Sequence, residues 1–147
     1  MKPFKRILVA TDLTDASTPA LREAIGLATG NGTELLITHA YQPPVMTQAD
    51  AVAPGVYEEW DRNLRVRVEA RLEGLVTDAK SKGIAAKALV LTGAAYEAIV
   101  SAAEDNRADL VVMGTHGRQG VSRFFLGSVA SRVISTSPCP VLTVRAA

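Results

Sequence analysis

The sequence predicts an α/β protein built on an open, parallel, five-stranded sheet with helices on both faces. Three observations carry this expectation. Five short runs rich in apolar and β-branched residues alternate with four segments in which apolar residues recur at helical spacing. The principal strand runs are continuously apolar rather than alternating, so both of their faces are covered, as in a parallel sheet served by helical crossovers. The resulting order, β-α-β-α-β-α-β-α-β, persists along the whole chain. All 147 residues read as one domain, long enough to bury roughly two thirds of the surface that the unfolded chain would expose.

Residues 7–11, Ile-Leu-Val-Ala-Thr, form the first strand. Basic residues precede them, but the apolar stretch is too short for the core of a secretion signal and Asp12 follows at once. Ser17, Thr18 and Pro19 supply cap and first-turn residues for a helix whose Leu21, Ala24, Ile25 and Ala28 share a face, and Gly30, Asn31 and Gly32 end it. Residues 35–38 make a second strand that stops near Ala40. Residues 41–55 contain Pro43, Pro44 and Pro54 with no sustained period, which marks an extended loop.

A long helix begins near Val56, with Leu64, Val68, Leu72, Leu75 and Ala79 along one side, and Lys80, Lys82 and Gly83 supply its stop signals. Residues 85–91 are the third strand, weakened by their alanines. Ala95, Ala98, Ile99, Ala102 and Ala103 then mark a helix with a small-residue face, suited to close packing on a sheet. The fourth strand is residues 110–113. Val129, Ala130, Val133 and Ile134 belong to a fourth helix that reaches about Ser135, before Pro138 and Pro140 and a last strand at residues 141–145.

Composition narrows the function. Hydrophobic residues make up 48% and charged residues 21%, an ordinary globular balance. Lys and Arg total 16 against 15 Asp and Glu, so a net charge of +1 provides no field to draw in nucleic acid. No run approaches the roughly 18 apolar residues of a membrane span, and a lone Cys139 excludes an internal disulfide. A cytoplasmic protein without nucleic-acid or membrane partners is expected.

The most informative stretch joins the fourth strand to the fourth helix. Gly114, Gly117, Gly127 and Ser128 satisfy G-x2-G-x9-G-[S/T] after a strand and before a helix. Glycines let the backbone approach a ligand, and the first N–H groups of a helix lack internal partners at the positive end of its dipole. Phosphate is the natural guest.

This pattern resembles the nucleotide-binding branch of the universal stress protein family. The likeness extends to the ILVATDLTD start, LLITHA, LTGAAYEAI, ADLVVMGTHGR and the closing PVLTV, nearly the whole chain. It implies a Rossmann-like, adenine nucleotide alpha hydrolase-like fold with strand order 3-2-1-4-5, whose switch point lies between the first and fourth strands. It also implies ATP as the ligand and allows for Mg2+ bound through the phosphates. Gly114, Gly117, Gly127, Ser128 and Val129 would hold phosphates and ribose, with Met113 and Arg118 flanking the pocket. Ala10, Thr11 and Asp12, and His39 and Ala40, would lie around the adenosine. One departure stands out: relatives commonly carry Gly-x-Pro after the third strand, where this chain has Gly93, Ala94 and Ala95, which loosens that turn.

Individual residues have alternative roles. Asp12 suits ribose hydroxyls or a phosphate-bound cation, but an acid after a strand also caps a turn. Ser128 suits a phosphate or a helix N-cap, and the two are compatible. His116 lies within the loop, with no carboxylate placed beside it by sequence; Arg118 and Arg123 suit phosphate or solvent. His39, His116 and Cys139 are scattered, so no metal cluster is recognised. Neither G-x-x-x-x-G-K-[ST] nor G-x-G-x-x-G occurs, and without the P-loop lysine any ATP hydrolysis is expected to be weak.

Val141, Leu142, Thr143 and Val144 form a β-prone run that, at a sheet edge, must be covered or paired. Pairing with a second copy gives a two-fold dimer, as the resemblance implies. The expectation is therefore an ATP-binding stress-response or signalling protein, a homodimer whose nucleotide occupancy sets conformation or the choice of an unknown protein partner. A slow ATP hydrolase or phosphotransferase, using Asp12 and a cation, and a nucleotide-free dimeric interaction protein are the alternatives.

Overall fold

The apolar runs become strands in a computed structural model that describes residues 2–43, 55–115 and 126–146. In chain order the elements are β1 (Arg6–Ala10), a 3-10 turn (Asp15–Ser17), α1 (Thr18–Ala28), β2 (Glu34–Tyr41), α2 (Val56–Ser81), β3 (Ala85–Thr92), α3 (Ala95–Asp105), β4 (Leu110–Gly114), α4 (Ser128–Thr136) and β5 (Val141–Val144). Every strand pairing is parallel, and the order is β3-β2-β1-β4-β5. The expected sheet is therefore the one found.

Alternation of side chains sorts the strands' residues between two layers. Ile7 and Val9 of the central β1 pack with Ala20, Ala24 and Ala28 of α1 and Val68, Leu72, Val76 and Ala79 of α2. Leu8 packs on the opposite face with Ile99, Ala102 and Ala103 of α3 and Ala130 and Val133 of α4. The chain thus moves outward from β1 to β3 under one helical layer, then returns past β1 to β5 under the other. That reversal places the switch point between β1 and β4, beyond whose carboxyl ends sheets of this class bind their ligands.

The buried stripes differ slightly from those read by period. On α1 the alanines face the sheet and Leu21 and Ile25 are half-buried at the flanks, because small side chains allow the helix to lie close. On α2 the buried line includes Val76, while Leu64 and Leu75 pack at its margin. Ile134 of α4 is 46% exposed. Among the described residues, no helix is long and apolar enough to cross a membrane.

Side chains fasten the amino ends of the strands. The Asp109 carboxylate accepts the Lys5 and Arg6 N–H groups at 2.8 and 3.1 Å. The Glu34 carboxylate receives Arg6 Nε at 2.9 Å and Lys87 Nζ at 3.0 Å, tying β1, β2 and β3 together. Arg6 also donates to the Asn106 carbonyl, and Thr33 Oγ1 to that of Phe4.

Candidate functional site

Register gathers the expected residues at the opposite, carboxyl end. Ala10 is the partner of Thr38 across β1 and β2, and Val9 that of Val112 across β1 and β4. The three central strands therefore end side by side. Thr11 and Asp12, His39 and Ala40, and Met113 and Gly114 emerge together at this edge.

The turn after β1 is built from hydroxyls. Buried Thr11 donates its N–H to the Thr38 carbonyl at 2.9 Å, and its Oγ1 accepts the Leu13 N–H at 3.0 Å. Ser17 Oγ lies 2.7 Å from Thr11 Oγ1 and donates to the Thr14 carbonyl at 3.0 Å, so the Thr11 hydroxyl donates to Ser17. Ser17 occupies the N-cap position of α1 but makes no side-chain cap bond there; its hydroxyl is spent on the turn.

Leu13 has φ of 62°, in the left-handed region that costs a non-glycine residue roughly 1–2 kcal/mol. Its N–H is held by Thr11, and its carbonyl receives the Arg71 guanidinium from α2. Asp12 is half-buried, and its Oδ1 accepts both the N–H and the hydroxyl of Thr14, at 2.9 and 2.6 Å. The turn-capping role is thus realised by one carboxylate oxygen.

His39 Nδ1 lies 2.8 Å from the Thr11 carbonyl, which can only accept, so Nδ1 carries a proton. Ala10 and Met113 belong to the layer of α3 and α4. Ala40 points to the same face, four residues after Leu36 on β2. Two of these three strand-end side chains are single methyl groups.

The loop after β4 is tied at its base. The Thr115 N–H donates to the Val144 carbonyl at 3.1 Å, and the Gly127 N–H returns to the Thr115 carbonyl at 2.6 Å. The chain leaving the sheet and the chain entering α4 therefore meet. Gly127, with φ of −62° and ψ of 155°, is the N-cap of α4, and no side chain caps it. Ser128 is the first helical residue, exposed, rather than the N-cap; extended backbone at Gly127 moves the boundary one residue earlier.

No acidic residue occupies the first turn of α4, whereas α2 has Glu58 and Glu59 there and α3 has Glu97. The positive end of the α4 dipole is left without a carboxylate of its own helix, the electrostatic condition for an outside anion. Half-buried Val129 anchors this turn to the α3 and α4 layer. Gly117 and Arg118, with His116 and Arg123, lie outside the described residues.

Beyond β3, Gly93 has φ of 110° and donates its N–H to the Tyr41 carbonyl at 3.1 Å. Ala94 caps α3 in an extended conformation and Ala95 is its first residue. The turn expected to be loosened by lack of proline is set by Gly93, and alanine serves the helix start. At the sheet edge, Val141, Leu142, Thr143 and Val144 form β5, whose partner among the described strands is β4; Leu142 is 37% exposed.

Three contributors were not read from the sequence: Leu13 and its left-handed backbone, Arg71, and Thr115 as the anchor of the loop base. Arg71 lies 58 positions from Leu13, and no local pattern records a side-chain bond to a distant carbonyl. Among the described residues, no group of three or more His, Cys, Asp or Glu could hold a metal ion.

The sequence model of the universal stress protein family matches residues 3–145. The "Universal stress protein in QAH/OAS sulfhydrylase 3'region" of Thermus aquaticus is 38% identical over 148 residues, spanning 97% of this chain and 99% of that one. The structure of MJ0577, a universal stress protein of Methanocaldococcus jannaschii, superposes with a TM-score of 0.83 at 27% identity, covering 97% of this chain and 96% of that one. A universal stress protein in complex with cAMP gives a TM-score of 0.72 at 25% identity, with 99% of each chain covered. With its sheet order matched and nearly its full length covered, the chain belongs to the universal stress protein family.

Proposed function

We propose that this universal stress protein binds ATP in the crevice between β1 and β4, acts as a single domain, and uses nucleotide occupancy to set its conformation or its choice of protein partner in the cytoplasm. The observation that carries the reading is the meeting, at one strand edge, of a loop tied at its base by Thr115 and Gly127 with a helix N-terminus that has no acid in its first turn. The likeness to a universal stress protein solved with cAMP supports an adenine nucleotide as the ligand class.

In this reading Gly114, Gly117, Gly127, Ser128 and Val129 surround the phosphates and ribose, with Met113 and Arg118 beside them. Ala10, Thr11, Asp12, His39 and Ala40 border the adenosine. Asp12 has one carboxylate oxygen engaged by Thr14; the carboxylate also suits ribose hydroxyls or an Mg2+ ion carried on the phosphates. Signalling requires that a partner distinguish the loaded from the empty form, because a ligand shifts only an equilibrium it discriminates.

Isothermal titration of nucleotide-stripped protein with ATP and magnesium tests the site directly. Saturable binding by the parent and its loss in folded Gly114→Val and Gly127→Val variants is expected. A parent that takes up no heat-detectable nucleotide would move the weight to a nucleotide-free interaction protein.

We also propose a homodimer through β5. Leu142 on β5 and Ile134 on α4, elements that touch each other, are both substantially exposed apolar side chains, and an unpaired edge invites a second copy. Light scattering on Leu142→Lys should show the mass halved relative to the parent.

A further inference from the structure

We propose that the other edge of the sheet, the outer side of β3, docks an extended basic segment of a partner protein as an added strand. β3 is eight residues long and paired to β2 along its length, while no described strand covers its second edge. Beside that edge runs a groove of about 630 Å³, walled by α2 and α3 and floored by residues 88–92. Ala88 and Val90 turn toward the α2 side, and Leu89 and Leu91 toward the α3 side. The edge thus offers backbone donors and acceptors between two side-chain walls, the arrangement that strand addition uses.

Charge selects the occupant. Glu69 on α2 and Glu97 and Asp105 on α3 line the groove, against Arg65. The Tyr96 hydroxyl donates to Glu97 Oε1 at 2.8 Å and steadies that carboxylate. A second copy of this chain is disfavoured, because apposing two such edges would set one acidic wall against another. β3 does carry Lys87, but that ammonium is paired with Glu34 toward the amino end.

Spacing adds a register. Glu97, Ser101 and Asp105 recur every fourth residue of α3, which places the two acids about 12 Å apart along the helix axis. On an extended strand, side chains at i and i+4 face the same way about 13 Å apart. The α3 wall therefore matches a strand with Lys or Arg at i and i+4 and a small residue between them. The inference is independent of the nucleotide site.

The test is fluorescence anisotropy with the full chain and a labelled nonapeptide that alternates valine and threonine, except for lysines at its third and seventh positions and an alanine at its fifth. Saturable binding is expected. The Glu97→Gln, Asp105→Asn double variant, both at exposed positions, should weaken it about fivefold. Methylating alternate backbone nitrogens of the peptide, with its charge unchanged, should weaken it by more than about tenfold, since several ladder bonds are lost together. No binding by the parent, equal binding of the methylated peptide, or indifference to the double variant would each overturn the proposal. So would light scattering showing that the β5-disrupted Leu142→Lys protein still dimerises and that Val90→Pro abolishes this, because β3 would then be taken by a second copy.

Discussion

The two ends of the sheet solve different problems. At the amino ends, Asp109 grips two backbone N–H groups, and Glu34 joins Arg6 and Lys87 across three strands. At the carboxyl ends, β1 finishes at Ala10 and β2 carries Ala40 just before its last residue, Tyr41, and the turn after β1 includes a left-handed leucine held by Arg71. One end is closed by bonds between neighbouring strands; the other carries small side chains and stores strain at Leu13. Strain maintained by surrounding contacts is characteristic of ligand-binding regions, so stability and binding should respond separately to substitutions at the two ends.

The largest expected effect tests the closed end. Asp109→Ala removes two charge-assisted bonds to backbone and should cost about 2 kcal/mol in urea unfolding, while ATP affinity stays within about twofold of the parent. Arg71→Met probes the other end, where the order of effects should invert. ATP affinity measured by titration should fall about fivefold as the Leu13 carbonyl loses its partner, with less than about 1 kcal/mol lost in unfolding. If both variants changed stability and affinity together, the separation of the two ends would be abandoned.

Smaller effects sharpen the contrast at the turn after β3. Gly93→Ala forces a methyl-bearing residue to φ of 110° and should cost about 1 kcal/mol by thermal unfolding. Ala95→Pro should instead add about 0.5 kcal/mol, because the first position of α3 needs no N–H donor and Ala94 is already extended.

An effect of similar small size depends on pH. Lys87, and less strongly Arg6, hold the Glu34 carboxyl below the usual carboxylate range. The contribution is therefore present above the unfolded pKa of about 4.3 and lost as pH falls through the lower folded value. Because the pair is largely solvated, Glu34→Gln should cost only about 0.5 kcal/mol at pH 7, and the variant and parent should converge in acid.

The same contrast explains what could be read from sequence. Leu8, Leu36 and Val111 lie in continuous apolar runs because both faces of their strands are covered, so the central strands and layer order were legible. The strand-to-helix turn bounded by Gly114 and by Gly127 and Ser128 was legible because a tight turn and a helix start require residue types at fixed spacing. The Ser128 cap expectation erred by one position, since extended Gly127 already ends the loop. Thr115 and Arg71 left no trace: one acts through its carbonyl, which every residue possesses, and the other through a contact closed only by folding. Val76 was missed because the buried line of α2 follows the i+4 steps Val68, Leu72 and Val76, leaving Leu64 and Leu75 of the expected stripe at its margin.

The bond between Gly127 N and Thr115 O has an evolutionary consequence. With the base of the excursion fixed at 2.6 Å, the intervening segment can change length without moving β4 or α4, and doubling it would add only about 0.6 kcal/mol of closure entropy. Insertions and deletions between residues 115 and 127 can therefore accumulate over evolution while the sheet and α4 keep their inherited positions.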